Sequence, residues 1–219
     1  MPVPDGIDDE AAAQLISMPF SALSLLEYLD VAPGQWIAQN AANGAVGRLV
    51  PVFAAARGVH VLGLVRRAEG IAELAEAGIS GVVATDDDAW RDRVIEITGG
   101  APIVAGVDSV GGSASDDVLS LLADDGTLVV FGAMASPTMS LSSGSVIFRQ
   151  VTVKGFWGSK VSRAMDASAR AALIGEVIRG VGDGSVTLPV AAVHSFDEAS
   201  RAVRANFEPG RVGKLLLRP

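Results

Sequence analysis

Residues 35–68, QWIAQNAANGAVGRLVPVFAAARGVHVLGLVRRA, constrain the fold more than any other stretch of the chain. The short apolar run Trp36–Gln39 has the length and character of a buried strand. Small residues follow over Asn40–Gly47, with glycines at Gly44 and Gly47. Val46, Leu49, Val50, Phe53 and Ala54 then recur at helical spacing, predicting a helix from Val46 to about Arg57 that Gly58 ends. His60–Val65 is a second apolar run. Strand, tight turn, helix and strand make the first βαβ unit of a dinucleotide-binding sheet.

The turn carries the fingerprint A-x-G-x-x-G as Ala42, Gly44 and Gly47, with Ala where a first Gly is commoner. Ala42 keeps the turn tight and Gly44 lets backbone N–H groups approach a pyrophosphate. Gly47 lets the helix pack close to the strand, so that phosphate oxygens meet the positive end of its dipole. The end of the second strand selects the cofactor. A site for NAD carries Asp or Glu about 20 residues past the glycines, where it accepts hydrogen bonds from ribose hydroxyls. Here the sequence is Val65-Arg66-Arg67, with Arg66 nineteen positions after Gly47. Two guanidinium groups suit a 2′-phosphate through charge and forked hydrogen bonding, and favour NADP(H). The alternative for these arginines is a solvated loop charge.

Composition removes several function classes. The 219-residue chain is 49% hydrophobic and 19% charged, which suffices for one large domain with appendages. A net charge of −8 with dispersed arginines argues against nucleic-acid binding. There is no cysteine, hence no disulfide, thiolate zinc site or catalytic thiol. His60 and His194, the only histidines, are far apart in sequence, so a histidine metal site is not expected. No apolar run reaches the ~20 residues needed to span a bilayer, and Met1–Glu10 is polar and acidic. A cytoplasmic protein without membrane partners is the expectation.

The alternation continues along the chain. Asp8 or Asp9 is placed to cap a helix through Ile16, and Ser21 another through Leu29. Tyr28, the only tyrosine, reads as packing. Strands are expected at Gly81–Ala84, Ile103–Asp108, Thr127–Phe131 and Val151–Phe156, with helices at Ile71–Ala77, Trp90–Thr98 and Asp116–Leu122. The class is therefore α/β, a Rossmann-type doubly wound parallel six-stranded sheet of order 3-2-1-4-5-6 with short N- and C-terminal appendages. Ala133–Ser145 is the least regular stretch and follows a strand's carboxyl end, so it reads equally as a mobile loop over a ligand or a plain connection. Arg163–Val181 reads as one long helix, Val186–Val193 as extended, Phe196–Asn206 as a helix capped by Ser195, and Lys214–Leu217 as a last strand without an obvious partner.

Gln39–Arg48, Val65-Arg66, Val110-Gly111-Gly112 and Gly155-Phe156-Trp157 resemble the medium-chain dehydrogenase/reductase superfamily. Within it they are most similar to the zinc-free 2-enoyl thioester reductases, with quinone-oxidoreductase-like proteins next. The resemblance implies NADPH-dependent reduction of an activated C=C bond. By position, Asn43, Gly44, Ala45, Val46 and Gly47 would hold the pyrophosphate, and Arg66 and Arg67 the 2′-phosphate. Gly132, Ala133, Met134, Phe156 and Trp157 would line the nicotinamide side, with Lys214 a further cofactor contact; core packing is the alternative for Phe156 and Trp157. The superfamily often has Ser where this chain has Gly44 and Gly where it has Ala133.

Members of the superfamily begin with a GroES-like catalytic domain, and this chain starts near the junction that follows it. Residues 1–34 then read as the junction, 35–185 as the NADP-binding Rossmann domain, and 186–219 as a tail that would rejoin the catalytic domain. Three readings stay open: a fragment, a divergent protein that has lost its catalytic half, or a chain whose partner is a separate catalytic domain. Cofactor binding is expected to survive and catalysis to be weak or absent, since hydride transfer needs substrate held about 3–3.5 Å from the nicotinamide. The superfamily's cofactor domains often pair across the sixth strand, and Val151-Thr152-Val153-Lys154 alternates as an exposed edge does, so a homodimer is expected. The alternatives are a non-catalytic NADP(H)-binding sensor or partner module, and a methyltransferase-like domain, against which Arg66 counts.

Overall fold

The computed structural model describes residues 3–208 and 210–219; Met1 and Pro2 of the lead and Pro209 of the tail lie outside them. The chain divides into two compact units. One runs from Ser21 to Asp166; the other combines the segment ending at Phe20 with Ala167–Pro219.

The first unit is built on β1 (Trp36–Gln39), β2 (His60–Val65), β3 (Val82–Ala84), β4 (Ile103–Asp108), β5 (Leu122–Val130) and β6 (Thr152–Gly155). They form one sheet of order β3-β2-β1-β4-β5-β6, and every pairing is parallel. The expected topology is therefore the observed one. Its cause is visible in the strands: a parallel sheet covered on both faces buries consecutive side chains. Ile37 and Ala38 of β1, Leu62, Leu64 and Val65 of β2, and Ala105 and Val107 of β4 are all buried. Each large aliphatic among them contributes about 1.5–3 kcal/mol on burial.

The crossovers are α3 (Leu49–Ala55), α4 (Glu69–Glu76), α5 (Trp90–Thr98) and α6 (Ala114–Leu121), which follow α1 (Asp9–Ala12) and α2 (Met18–Leu29) in the chain. Leu74 of α4, Trp90 and Val94 of α5, and Val118 and Leu119 of α6 are buried, each at helical spacing. Trp90, Val94, Val118 and Leu119 share one cluster with Leu62, Leu64, Ile103, Leu122 and Leu128. The unit closes with α7 (Ser143–Phe148), β6 and α8 (Gly158–Ala164).

The second unit contains α9 (Ala167–Gly182), β7 (Val190–Ser195), α10 (Ala199–Ala205) and β8 (Lys214–Arg218). β8 finds its partner in β7, with which it pairs in parallel from Val190↔Lys214 to Ser195↔Arg218. The buried side chain of Gln14 donates to the carbonyls of Glu10 (3.2 Å) and Leu188 (3.1 Å), tying the early segment to the tail.

Several expectations shift. The helix expected over Phe196–Asn206 is a 3-10 turn, Phe196–Glu198, followed by α10, and the extended stretch expected over Val186–Val193 becomes a strand only from Val190 to Ser195. α2 begins at Met18, so Ser21 sits inside it rather than capping it. Asp8 does cap α1, accepting from the Ala11 N–H at 2.8 Å, but that helix ends at Ala12. The long helix expected over Arg163–Val181 is two: Met165 is extended and separates α8 from α9. The stretch Ala133–Ser145 ends in α7, which Ser142 caps through the Ser145 N–H.

Candidate functional site

Because all six strands run the same way, their carboxyl ends open on one edge. The chain leaves β1 toward β2 and leaves β4 toward β5, so order reverses between neighbours β1 and β4, where open α/β sheets bind ligands. Gln39 is level with Gly63 and Val107, Asp108 with Val130, and Val130 with Gly155. This register gathers Asn40, Arg66, Ser109, Phe131 and Phe156, each just past a strand end or one residue beyond it, along that edge.

The β1–α3 turn is held from within. Gln39 is buried and its Nε2 donates to the Gly47 carbonyl at 2.7 Å. Ala41 takes φ 50°, the left-handed region an L-residue rarely adopts, and its carbonyl accepts from Gly44 at 2.8 Å. A Cβ on Gly47 would lie 2.4 Å from the Ala41 carbonyl oxygen and 2.7 Å from that of Ala42, so only glycine fits. Gly44 is less constrained, with the nearest atom to a Cβ 3.1 Å away. Among the described residues the N–H groups of Ala45, Val46 and Gly47 donate to no backbone acceptor, as an anion-binding turn requires.

A buried polar cluster that sequence reasoning did not find fixes the crevice floor. Asp108 is fully buried at the end of β4. Its Oδ1 accepts from Asn40 Nδ2 (2.6 Å) and from the N–H groups of Val110 (2.9 Å) and Gly111 (3.1 Å). The Ser115 hydroxyl of α6 donates to its Oδ2. Asn40 in turn accepts from the Ser109 N–H at 2.7 Å. One carboxylate thus joins β1, β4 and α6 at the switch point, and every partner is satisfied. The one available signal was a lone Asp ending an apolar strand.

The segment after β5 is laced to the segment after β4. Phe131 and Gly132 donate to the Asp108 carbonyl, Met134 to that of Ser109, and Ala135 to that of Val110. Gly111, at φ 79°, lies so close to Ser136 that a Cβ would meet its carbonyl oxygen at 2.3 Å. The stretch over 133–136 is therefore a strapped connection. Within it Ala133 is exposed and the Met134 side chain is 85% exposed, while Gly132 is half-buried.

At the end of β6, Phe156 is buried with its ring centroid 5.3 Å from Tyr28 and 5.6 Å from Phe131, whereas Trp157 is 64% exposed. Tyr28 packs as expected: its hydroxyl donates to the Gly155 carbonyl at 3.1 Å, and the Lys154 ammonium lies 4.3 Å over its ring.

Arg66 and Arg67 extend past β2 as exposed residues, and among the described residues no hydrogen bond or ion pair engages either side chain. Arg48, by contrast, is used up: it pairs with Glu73 of α4, and its Nε donates to the Asn43 carbonyl at 3.0 Å. Lys214 opens β8 of the other unit, its N–H bonded to the Pro189 carbonyl at 2.9 Å.

Comparison with known proteins adds identity to this geometry. The zinc-binding dehydrogenase family is matched over residues 45–173, more than half of the chain. The chain belongs to the zinc-binding dehydrogenase family. A human relative, mitochondrial enoyl-[acyl-carrier-protein] reductase, is 28% identical over 221 residues, 98% of this chain and 59% of its own length. A mycobacterial quinone oxidoreductase structure is 29% identical with a TM-score of 0.84, covering 99% of this chain and 67% of that one. A mycobacterial structure complexed with NADPH is 27% identical at TM-score 0.82, covering 99% and 66%. The 2-enoyl thioester reductase heterodimer of Candida tropicalis shares the fold at TM-score 0.80 and 19% identity, over 93% of this chain and 60% of that one. The chain spans about three-fifths of the length of the curated relatives it matches.

These findings place this zinc-binding dehydrogenase family member with the enoyl- and quinone-reductase-like medium-chain dehydrogenases. The donor set does not fit the zinc of the family's description. There is no cysteine, and no group of three His, Asp or Glu that would hold a metal exists among the described residues. No described helix is long and apolar enough to cross a membrane.

Proposed function

We propose that the chain is the NADP(H)-binding portion of an oxidoreductase that reduces activated C=C bonds, of the 2-enoyl thioester or quinone type. The observation that carries this is the exposed, unpaired Arg66-Arg67 pair past β2, on the same sheet edge as a turn with open N–H groups. Asn43 to Gly47 hold the pyrophosphate, and the two guanidinium groups hold the 2′-phosphate. Bound at the crevice, the cofactor supplies a hydride. Gly132, Ala133, Met134 and Trp157 shape the nicotinamide side. Buried Phe156 supports that wall from behind Phe131. Residues 35–185 serve as the cofactor domain, between a junction segment and a tail that meets a catalytic domain.

Turnover by this chain alone is slow or absent: the Tyr28 hydroxyl is engaged at the Gly155 carbonyl, and His60 opens β2 at the opposite end of the strands. The same observation supports the second reading, a non-catalytic NADP(H)-binding sensor or partner module. The chain also pairs with a second copy through the free edge of β6.

Titration with NADPH and NADH, repeated with Arg66→Ala, tests the proposal. NADPH is preferred by tenfold or more, about 1.4 kcal/mol, and Arg66→Ala abolishes the preference. Binding of neither nucleotide would overturn it. NADPH oxidation with a 2-enoyl thioester or a quinone then separates a slow reductase from a silent module.

A further inference from the structure

The β1–α3 turn ends in an arginine of its own, Arg48, and its surroundings differ from those of Arg66 and Arg67. The Arg48 side chain is 13% exposed and both ends of its guanidinium are engaged, Nε by the Asn43 carbonyl and a terminal nitrogen by Glu73 Oε1. The other oxygen of Glu73 faces the Asn43 side-chain amide at 3.5 Å. Glu73 lies one helical turn into α4, the helix that begins directly after Arg66-Arg67-Ala68. A carboxylate therefore sits against the dinucleotide turn, one third exposed, with both oxygens facing groups of that turn.

A carboxylate in this neighbourhood has two consequences in a dinucleotide site. It accepts hydrogen bonds from ribose hydroxyls, and it repels a 2′-phosphate. A cation in direct contact offsets that repulsion most strongly, because the attraction falls with distance and charges beyond about 10 Å are screened. Arg48 is that cation, and its forked geometry holds the acid and the turn together.

We propose that Arg48 masks Glu73, and that this ion pair is a specificity determinant admitting a dinucleotide with a 2′-phosphate. The inference rests on the NADP(H) reading above. Arg66 and Arg67 attract the phosphate; Arg48 removes the acid that would reject it. Loss of Arg48 then acts on the NADPH-over-NADH ratio, and loss of Glu73 alongside it reverses the effect. A pair that only braces the turn would weaken both nucleotides alike.

The test is a double-mutant cycle on the full chain, reading dissociation constants for NADPH and NADH by fluorescence titration in Arg48→Met, Glu73→Gln and the double variant. Arg48→Met lowers the NADPH-over-NADH ratio by tenfold or more, and the double variant returns it to within threefold of the parent. An unchanged ratio in Arg48→Met, or one not restored in the double variant, overturns the masking role. Arg48→Gln, which removes the charge but keeps a polar side chain beside Glu73 and the Asn43 carbonyl, covers the case in which Arg48→Met does not fold. The ratio falls by tenfold or more there too; no fall overturns the inference. The parent chain separates the two levels. A parent that prefers NADPH and loses the preference in Arg66→Ala keeps the cofactor reading whatever the cycle gives, and a parent that binds neither nucleotide ends both.

Discussion

The β1–α3 turn depends on the absence of one atom. A Cβ on Gly47 would press on the backbone oxygens of Ala41 and Ala42, and backbone cannot rotate away as a side chain can. Gly47→Ala is therefore expected to cost about 2–3 kcal/mol in chemical denaturation and to abolish dinucleotide binding. Gly44→Ser, whose Cβ would stand 3.1 Å from the Ala41 oxygen, should cost under about 1 kcal/mol. Equal losses at the two positions would show that the turn is not set by this approach. The spacing of the small residues announced both glycines. It did not announce Asp108, whose four hydrogen-bond partners come from Asn40, Val110, Gly111 and Ser115. Those residues converge only when β1, β4 and α6 meet.

Among the elements, the end of β7 shows how a local device carries charge. Ser195 and Glu198 form a capping box, with the Ser195 N–H donating to Glu198 at 3.2 Å. That backbone hydrogen bond, helped by the charges of His194 and Arg201, holds the Glu198 carboxyl below its ordinary value of 4.5. A carboxyl lowered in the folded state adds stability that is complete above its unfolded pKa and is lost as pH falls through the folded one. Glu198→Ala should thus lower the unfolding midpoint at pH 7, and the gap to the parent should close as pH drops below 4.5. A pH-independent gap, followed by thermal unfolding, would assign the loss to packing instead. The capping Ser195 was legible in sequence because the box is local, although what it heads is a 3-10 turn over Phe196–Glu198 ahead of α10 and not one helix through Asn206. The breaks at Met165 and the early start of α2 were not, since helical spacing continued through both.

For the whole molecule, the open question is what meets the edge of β6. Among the described residues its four members, Thr152–Gly155, pair only with β5, and their burial runs exposed, half-buried, half-buried, exposed. An unpaired edge of this kind invites a second strand. Size-exclusion chromatography with light scattering should give a single species of twice the chain mass; a monomer at micromolar concentration would rule out pairing through β6. The strand order and the position of the glycine turn between β1 and α3 were determined by the sequence alone. Buried strands, helical spacing and glycine turns are short-range patterns, and right-handed crossovers leave few topologies for them. The tertiary structure alone decided which charges are free. Arg48, Arg66 and Arg67 are equivalent as letters, yet Arg48 is consumed by an acid 25 positions away while the other two stay exposed. The physical reason is that an ion pair needs contact within a few ångströms, and contact across that separation exists only once α4 has packed beside the turn.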